Sequence, residues 1–269
     1  MTTNPSLVAG TAVCSAIGAL TVVGSIWTPY DPLAVDTNRT FSGLSLEHLF
    51  GTDQLGRDVL SNVWRGAQTS LLAAALAALL AILFGGFIGV SAAMSRRWLD
   101  DLLMALSTVF VAFPALLLAL LVVAANGPST TTTVITVAVA AGASVAVVTR
   151  REAADILSSA YVTAARFSGA TGWRIVKRHV LRNLLPSLCV QATGAASIAL
   201  IAESTLSYLG LGTTPPTPSW GRMLASTQQY LLVHPLLTLW PALCVCLTVL
   251  GLNLLGDGLR EKFDPKLRA

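Results

Sequence analysis

Charge is scarce in this sequence. Lys, Arg, Asp and Glu make up 11% of its 269 residues against 54% hydrophobic ones, and the mean hydropathy is +0.70. That balance excludes an ordinary soluble domain and points to a membrane protein. No Gly-x4-Gly-Lys-Ser/Thr phosphate loop occurs anywhere, so the sequence carries no nucleotide-binding motif of that kind. The four cysteines, Cys14, Cys189, Cys244 and Cys246, fall in apolar stretches without a nearby histidine, which leaves them as small hydrophobes with no metal or redox role. The three histidines, His48, His179 and His234, are scattered over loops or span ends, without a Ser, Cys or carboxylate at useful spacing, so no catalytic set is legible. Basic patches interleaved with aromatics are missing too, which excludes a nucleic-acid reader.

What is present is apolar sequence in runs of the ~20 residues that cross a bilayer core. These runs occupy 7–27, 69–93, 102–125, 132–149, 185–209 and 235–255, and they predict an all-α, polytopic membrane protein with six transmembrane helices. The first run has no basic stretch before it and is too long for the apolar part of a typical signal peptide, so it reads as an uncleaved span. Lys and Arg near span ends are retained on the cytoplasmic side. With the N-terminus inside, thirteen of the seventeen fall there: Arg96, Arg97, Arg150, Arg151, Arg166, Arg174, Lys177, Arg178, Arg182, Arg260, Lys262, Lys266 and Arg268. Arg39, Arg57, Arg65 and Arg222 stay outside, so the topology expected is N-in/C-in.

The chain divides into 1–68, a first span followed by an external loop and an interfacial helix over 57–68 with Trp64 at headgroup level, and 69–269, a five-helix core. Gly-Arg-Asp58 before that helix reads as a turn and cap. The second span carries Gly85, Gly86 and Gly89, small residues that let helices approach closely, and Pro114 is placed to kink the third. The fifth holds Gln191, Thr193, Ser197 and Glu203, polar groups that belong inside a bundle. After Leu209, a Gly- and Pro-dense outer segment leads to a weakly amphipathic stretch over 222–233.

Between spans four and five lies the basic stretch 161–186, within a cytoplasmic loop over 150–185. Residues 160–167 lack Gly and Pro and read as helix, Gly169 stops that helix, and Gly172 opens the next. Trp173, Ile175, Val176, Val180 and Leu181 give the second helix an apolar side, and Arg174, Lys177, Arg178 and Arg182 crowd its other faces. On composition alone this is a basic amphipathic loop on anionic lipid.

The spacing Ala164-Ala165-x3-Gly169 resembles the cytoplasmic loop of ABC importer permeases that docks into the ATPase subunit, although Thr163 stands where that motif has Glu and Arg182 where it has a proline. A literal Glu152-Ala153-Ala154 has Ser158 in place of the glycine and is set aside. Three further stretches, Phe50-Gly-Thr-Asp-Gln-Leu-Gly-Arg-Asp58, Glu203 through Trp220-Gly221, and Leu254 through Arg260 with Asp264 to Arg268, are collinear with the dipeptide, oligopeptide and nickel permeases of the C type. The resemblance implies the type I ABC importer permease fold and alternating access. It also implies a homologous second permease of the B type, two ATPase domains or one fused ATPase, and an external peptide-binding protein, in the membrane lipid of a bacterial inner membrane. ATP and Mg would sit on the ATPase and no cofactor on this chain. Carried over, Thr163, Ala164, Ala165, Gly169, Ala170, Arg174 and Arg178 form the coupling loop. Glu203, Ser204, Ser207 and Gln191 are the candidates for the translocation path or outer gate, with bonding to neighbouring groups the plainer role for Glu203. Cargo is expected to be di- or oligopeptide, with nickel chelate, haem or glutathione as alternatives. A proton-coupled secondary transporter using Glu203 is the rival from another class.

Overall fold

The computed structural model describes residues 4–263. It is helical, with no β-strand among the described residues beyond an isolated bridge between Thr52 and Asp58. Five helices are long and apolar enough to cross a membrane: α1 (Pro5–Ile26), α2 (Val59–Met94), α5 (Thr130–Leu157), a continuous rod over Gly172–Tyr208, and α10 (Pro235–Phe263). The rod comprises α7 (Gly172–Ile175), a π-turn (Val176–Val180) and α8 (Leu181–Tyr208). Two shorter apolar helices, α3 (Arg97–Ala112) and α4 (Ala115–Asn126), are long and apolar enough only when taken together, and they are inclined at 94° to each other. Pro114 has no N–H for the helical ladder and holds Phe113 extended, so the expected kink is a break.

Small residues set the packing. Ala73, Ala74, Ala77, Ala78 and Ala81 on α2 are buried, and a Cβ on Gly85 would lie 2.7 Å from the Val145 Cβ of α5. One on Gly89 would lie 2.8 Å from the Arg150 nitrogen, so the two helices touch almost backbone to backbone. Gly86 faces α8 instead, where an added Cβ would make ordinary contact with Leu188 at 3.8 Å. On the far side, α1 packs on α10, with Gly10 against Leu254 and Leu255 and Gly251 against Val13.

The expected interfacial helix over 57–68 is instead the first turns of α2, so residue 68 lies inside a 36-residue helix. Asp58 caps it, accepting from the Ser61 nitrogen (2.8 Å), as the turn-and-cap reading has it. The other Asp58 oxygen meets His48 Nδ1 at 2.9 Å, and this buried pair folds the outer loop onto the helix start. Phe41 stacks on His234 (4.5 Å) and Phe50 on Trp240 (4.0 Å), fixing the same loop to α10 and the turn before it.

Contacts also sort the chain into two ends. Asn4 Nδ2 donates to Glu261 Oε2 (2.6 Å), and Arg260 shares a cavity with Glu152, Asp155 and Asn183. Both described ends therefore lie with the 150–185 connection. Trp27 against Trp64, and Thr130 beside Thr213, mark the opposite end. The basic end is the cytoplasmic one by the rule on retained charge; Lys266, Arg268 and the Asp264 to Arg268 motif lie outside the described residues. In a variant lacking native thiols, an impermeant maleimide added to intact cells will label a cysteine replacing exposed Pro128 and miss one replacing exposed Ser168. The reverse pattern would invert the topology.

Candidate functional site

At the cytoplasmic end, α6 (Ala160–Phe167) and α7 form a projection joined at Gly169. Ala170 N–H bonds to Ala165 O and Gly169 N–H to Arg166 O, both at 3.0 Å, with Gly169 at φ +81°. This is the pairing that closes a helix with a left-handed glycine. Beneath the tip, Val162, Ile175, Val180 and Leu184 are at most 2% exposed and pack with Ala153 and Leu157 of α5. The projection is thus built on its own apolar core.

Of the expected docking residues, Thr163, Ala164 and Gly169 are exposed, Ala165 and Ala170 half-buried, and Arg174 and Arg178 stand exposed on the rod that leads back to the membrane. A Cβ on Gly169 would meet no atom within 4 Å. The Thr163 hydroxyl donates to Ser159 O within its own helix (3.2 Å). Trp173 and Leu181, expected on the covered face of the second helix, are instead 73% and 42% exposed. The π-turn between them adds a residue to one turn, so a 3.6-residue period does not carry across it.

The same rod ends at the outer side in a buried polar hub. Glu203 is 2% exposed; its Oε1 accepts from Ser207 (2.7 Å) and Thr213 (3.4 Å), and Oε2 is buried with no hydrogen bond of its own. Ser207 Oγ also accepts the Thr213 N–H (3.1 Å), tying the outer segment to α8. Next to it, the N-terminus of α9 (Trp220–Thr227) is fastened to α2, where Trp220 N–H reaches Ser70 (3.1 Å) and its indole N–H the Val63 carbonyl (3.0 Å). Arg222 donates to Thr213 O (3.4 Å); burial, then the like charge of Arg57, lowers its pKa while it stays a cation.

Glu203, Ser204 and Ser207 are buried in packed structure, and Gln191 lines a cavity. That cavity, about 730 Å³ between α3, α4, α5 and α8, is walled by apolar groups such as Phe110, Phe113, Val137 and Ile198, with Thr136 and Thr205 among the few polar ones. Gln191 Nε2 donates to Ser187 (3.3 Å), which donates to Glu152 Oε1 (2.6 Å), linking α8 to α5. Sequence reasoning passed over Ser70, and took Thr213, Ser219 and Trp220 only as part of the stretch from Glu203 to Gly221, with no role of their own. Each is 3% exposed or less, and the available signal was the Ser-Trp-Gly run after three prolines. Among the described residues no group of three or more His, Cys, Asp or Glu is arranged to hold a metal ion.

Residues 81–269 match the family described as binding-protein-dependent transport system inner membrane component. A protein named as a peptide transport system permease of Brucella suis biovar 1 is 39% identical over 253 residues, 93% of this chain and 85% of that protein. The dipeptide transport system permease protein DppC of Alkalihalophilus pseudofirmus is 32% identical over 266 residues, 99% and 88% of the two chains. The glutathione transport system permease protein GsiD of Escherichia coli O6:K15:H31 is 38% identical over 241 residues, 89% and 80% of the two.

Proposed function

The chain belongs to the binding-protein-dependent transport system inner membrane components, and from that premise we propose that it is the permease subunit of an ABC importer that moves di- or oligopeptides into the cytoplasm of a bacterium. The observation that carries the mechanism is the rod. Gly172–Tyr208 is one helix of 37 residues, ~55 Å at ~1.5 Å per residue, with the projection at one end and the Glu203 hub at the other.

The tip from Thr163 to Ala170 docks into the ATPase, where small exposed residues let backbones approach. Because the apolar core beneath it is continuous with the rod, a displacement of the tip is carried to the outer segment without an intervening loop. The chain alternates between inward and outward openings beside a homologous permease of the DppB type. Two ATPase domains, or one fused ATPase, hold ATP and Mg and supply the hydrolysis, while an extracytoplasmic peptide-binding protein delivers cargo. This subunit binds no cofactor and catalyses nothing. Gln191 faces the path, Glu203 with Ser204 and Ser207 braces its outer gate, and the bundle resides in the inner membrane.

Reconstituted with its partners, the complex will take up labelled dipeptide when ATP is inside the vesicle and will ignore a proton gradient. Gradient-driven uptake without ATP would overturn the assignment in favour of a secondary transporter. Similarity to the glutathione permease supports glutathione as a second cargo, so labelled glutathione belongs in the same assay.

A further inference from the structure

Between α2 and the rod lies an apolar cavity of about 870 Å³, walled by Leu83, Phe87 and Met94 on one side and Trp173, Leu185 and Leu188 on the other. Among the described residues nothing covers it: Phe87 and Trp173 are each 73% exposed. Its α2 wall runs from Ile82 to Met94, ~18 Å at ~1.5 Å per residue, close to one leaflet of a ~30 Å hydrocarbon core. Arg174, Lys177, Arg178 and Arg182, on the same stretch of the rod as Trp173, Val176 and Leu181 of the groove wall, line a hollow of their own. All four are exposed, and among the described residues none has a hydrogen bond or ion pair to its side chain.

An apolar helix would fill the groove and leave these cations unmatched. An acidic protein surface would match the cations but not enter a groove of leaflet depth. A molecule with an anionic head and a long acyl tail satisfies both, with the head at the membrane boundary where long basic side chains reach up from an apolar wall. We propose that the groove between α2 and the rod, with Lys177, Arg178 and Arg182 at its mouth, binds one anionic phospholipid of the cytoplasmic leaflet. Such a lipid bridges the rod, which leads from the ATPase-facing tip, and the α2 helix it packs against, and the site does not depend on which cargo is carried.

The test uses the whole transporter in phosphatidylcholine vesicles doped with tail-brominated phosphatidylglycerol or tail-brominated phosphatidylcholine. Bromine quenching of Trp173 is read as the difference from a Trp173→Phe variant. The anionic lipid will reach half-quenching at a roughly tenfold lower mole fraction, since each cation near the surface adds attraction. In Lys177→Gln/Arg178→Gln/Arg182→Gln the two lipids will quench alike. Gly86→Leu, which fills the groove and leaves the cations in place, will remove the anionic preference as well. Equal quenching by the two lipids in the unaltered complex, read against Trp173→Phe alone, would overturn the proposal. So would a preference that survives the triple substitution, loss of the ATPase from that variant with the lipid preference intact, or displacement of the anionic lipid by inorganic phosphate.

Discussion

Replacing Gly169 by tryptophan will abolish substrate-stimulated ATP hydrolysis and peptide uptake, a loss of tenfold or more on the order of what steric exclusion at a packed interface produces, while the permease still inserts and pairs. Two effects meet at this position. Gly169 sits at φ +81°, a left-handed backbone conformation that costs an L-residue about 1–2 kcal/mol. It also lies at an exposed tip with open space around it, so a large side chain projects outward instead of disturbing the fold. Gly169→Asn separates the two, since asparagine tolerates the left-handed region and remains small. It will keep most of the coupling, and Gly169→Ala, small but strained, will fall between. Coupling in the tryptophan variant equal to that of the unaltered complex would show that the tip touches no ATPase.

The projection is also the part of the fold that the sequence makes most legible. Residues 160–167 carry no Gly or Pro, and the helix occupies those residues; Gly169 and Gly172 then punctuate it as glycine does wherever a helix must stop or restart. Single spans were legible for the same local reason, because length and hydropathy suffice. What composition hides is continuity. Arg57 to Gln68 is polar enough to read as a separate surface helix, yet nothing breaks the backbone ladder after Val59 and α2 runs on from there to Met94. Pro186 suggests a span start near residue 185, whereas the rod passes through it from Gly172. The outer hub was half-visible: Glu203 stands out among apolar neighbours, but Ser70 comes from α2, far in sequence from Thr213 and Ser219 of the outer segment. Their meeting is a property of packing, and no local period announces it.

That hub gives the second large effect, and the identity of the replacement decides its size. Glu203→Leu removes the acceptor for the Ser207 and Thr213 hydroxyls inside a fully buried site. A buried polar group left without its partner costs about 1–3 kcal/mol, and leucine does not restore the contacts that hold the outer segment to α8. The transporter carrying Glu203→Leu will show a Tm lowered by roughly 5 °C or more. Its uptake will fall to a small fraction of normal while ATP hydrolysis persists, because the outer gate no longer follows the rod. Glu203→Gln keeps the size of the side chain and a carbonyl oxygen that accepts from Ser207, and its added N–H₂ falls beside the buried hydroxyls of Ser70 and Ser219. It will retain at least about half of ATP-driven uptake, the loss of one neutral hydrogen bond being worth ~1 kcal/mol. The two variants thus separate a bracing carboxylate from a proton-carrying one. A carrier of protons is abolished by glutamine as completely as by leucine, since neither side chain titrates. Equal and complete loss in both variants, with Tm unchanged in the glutamine one, would remove Glu203 from the structural role and return it to the transport chemistry.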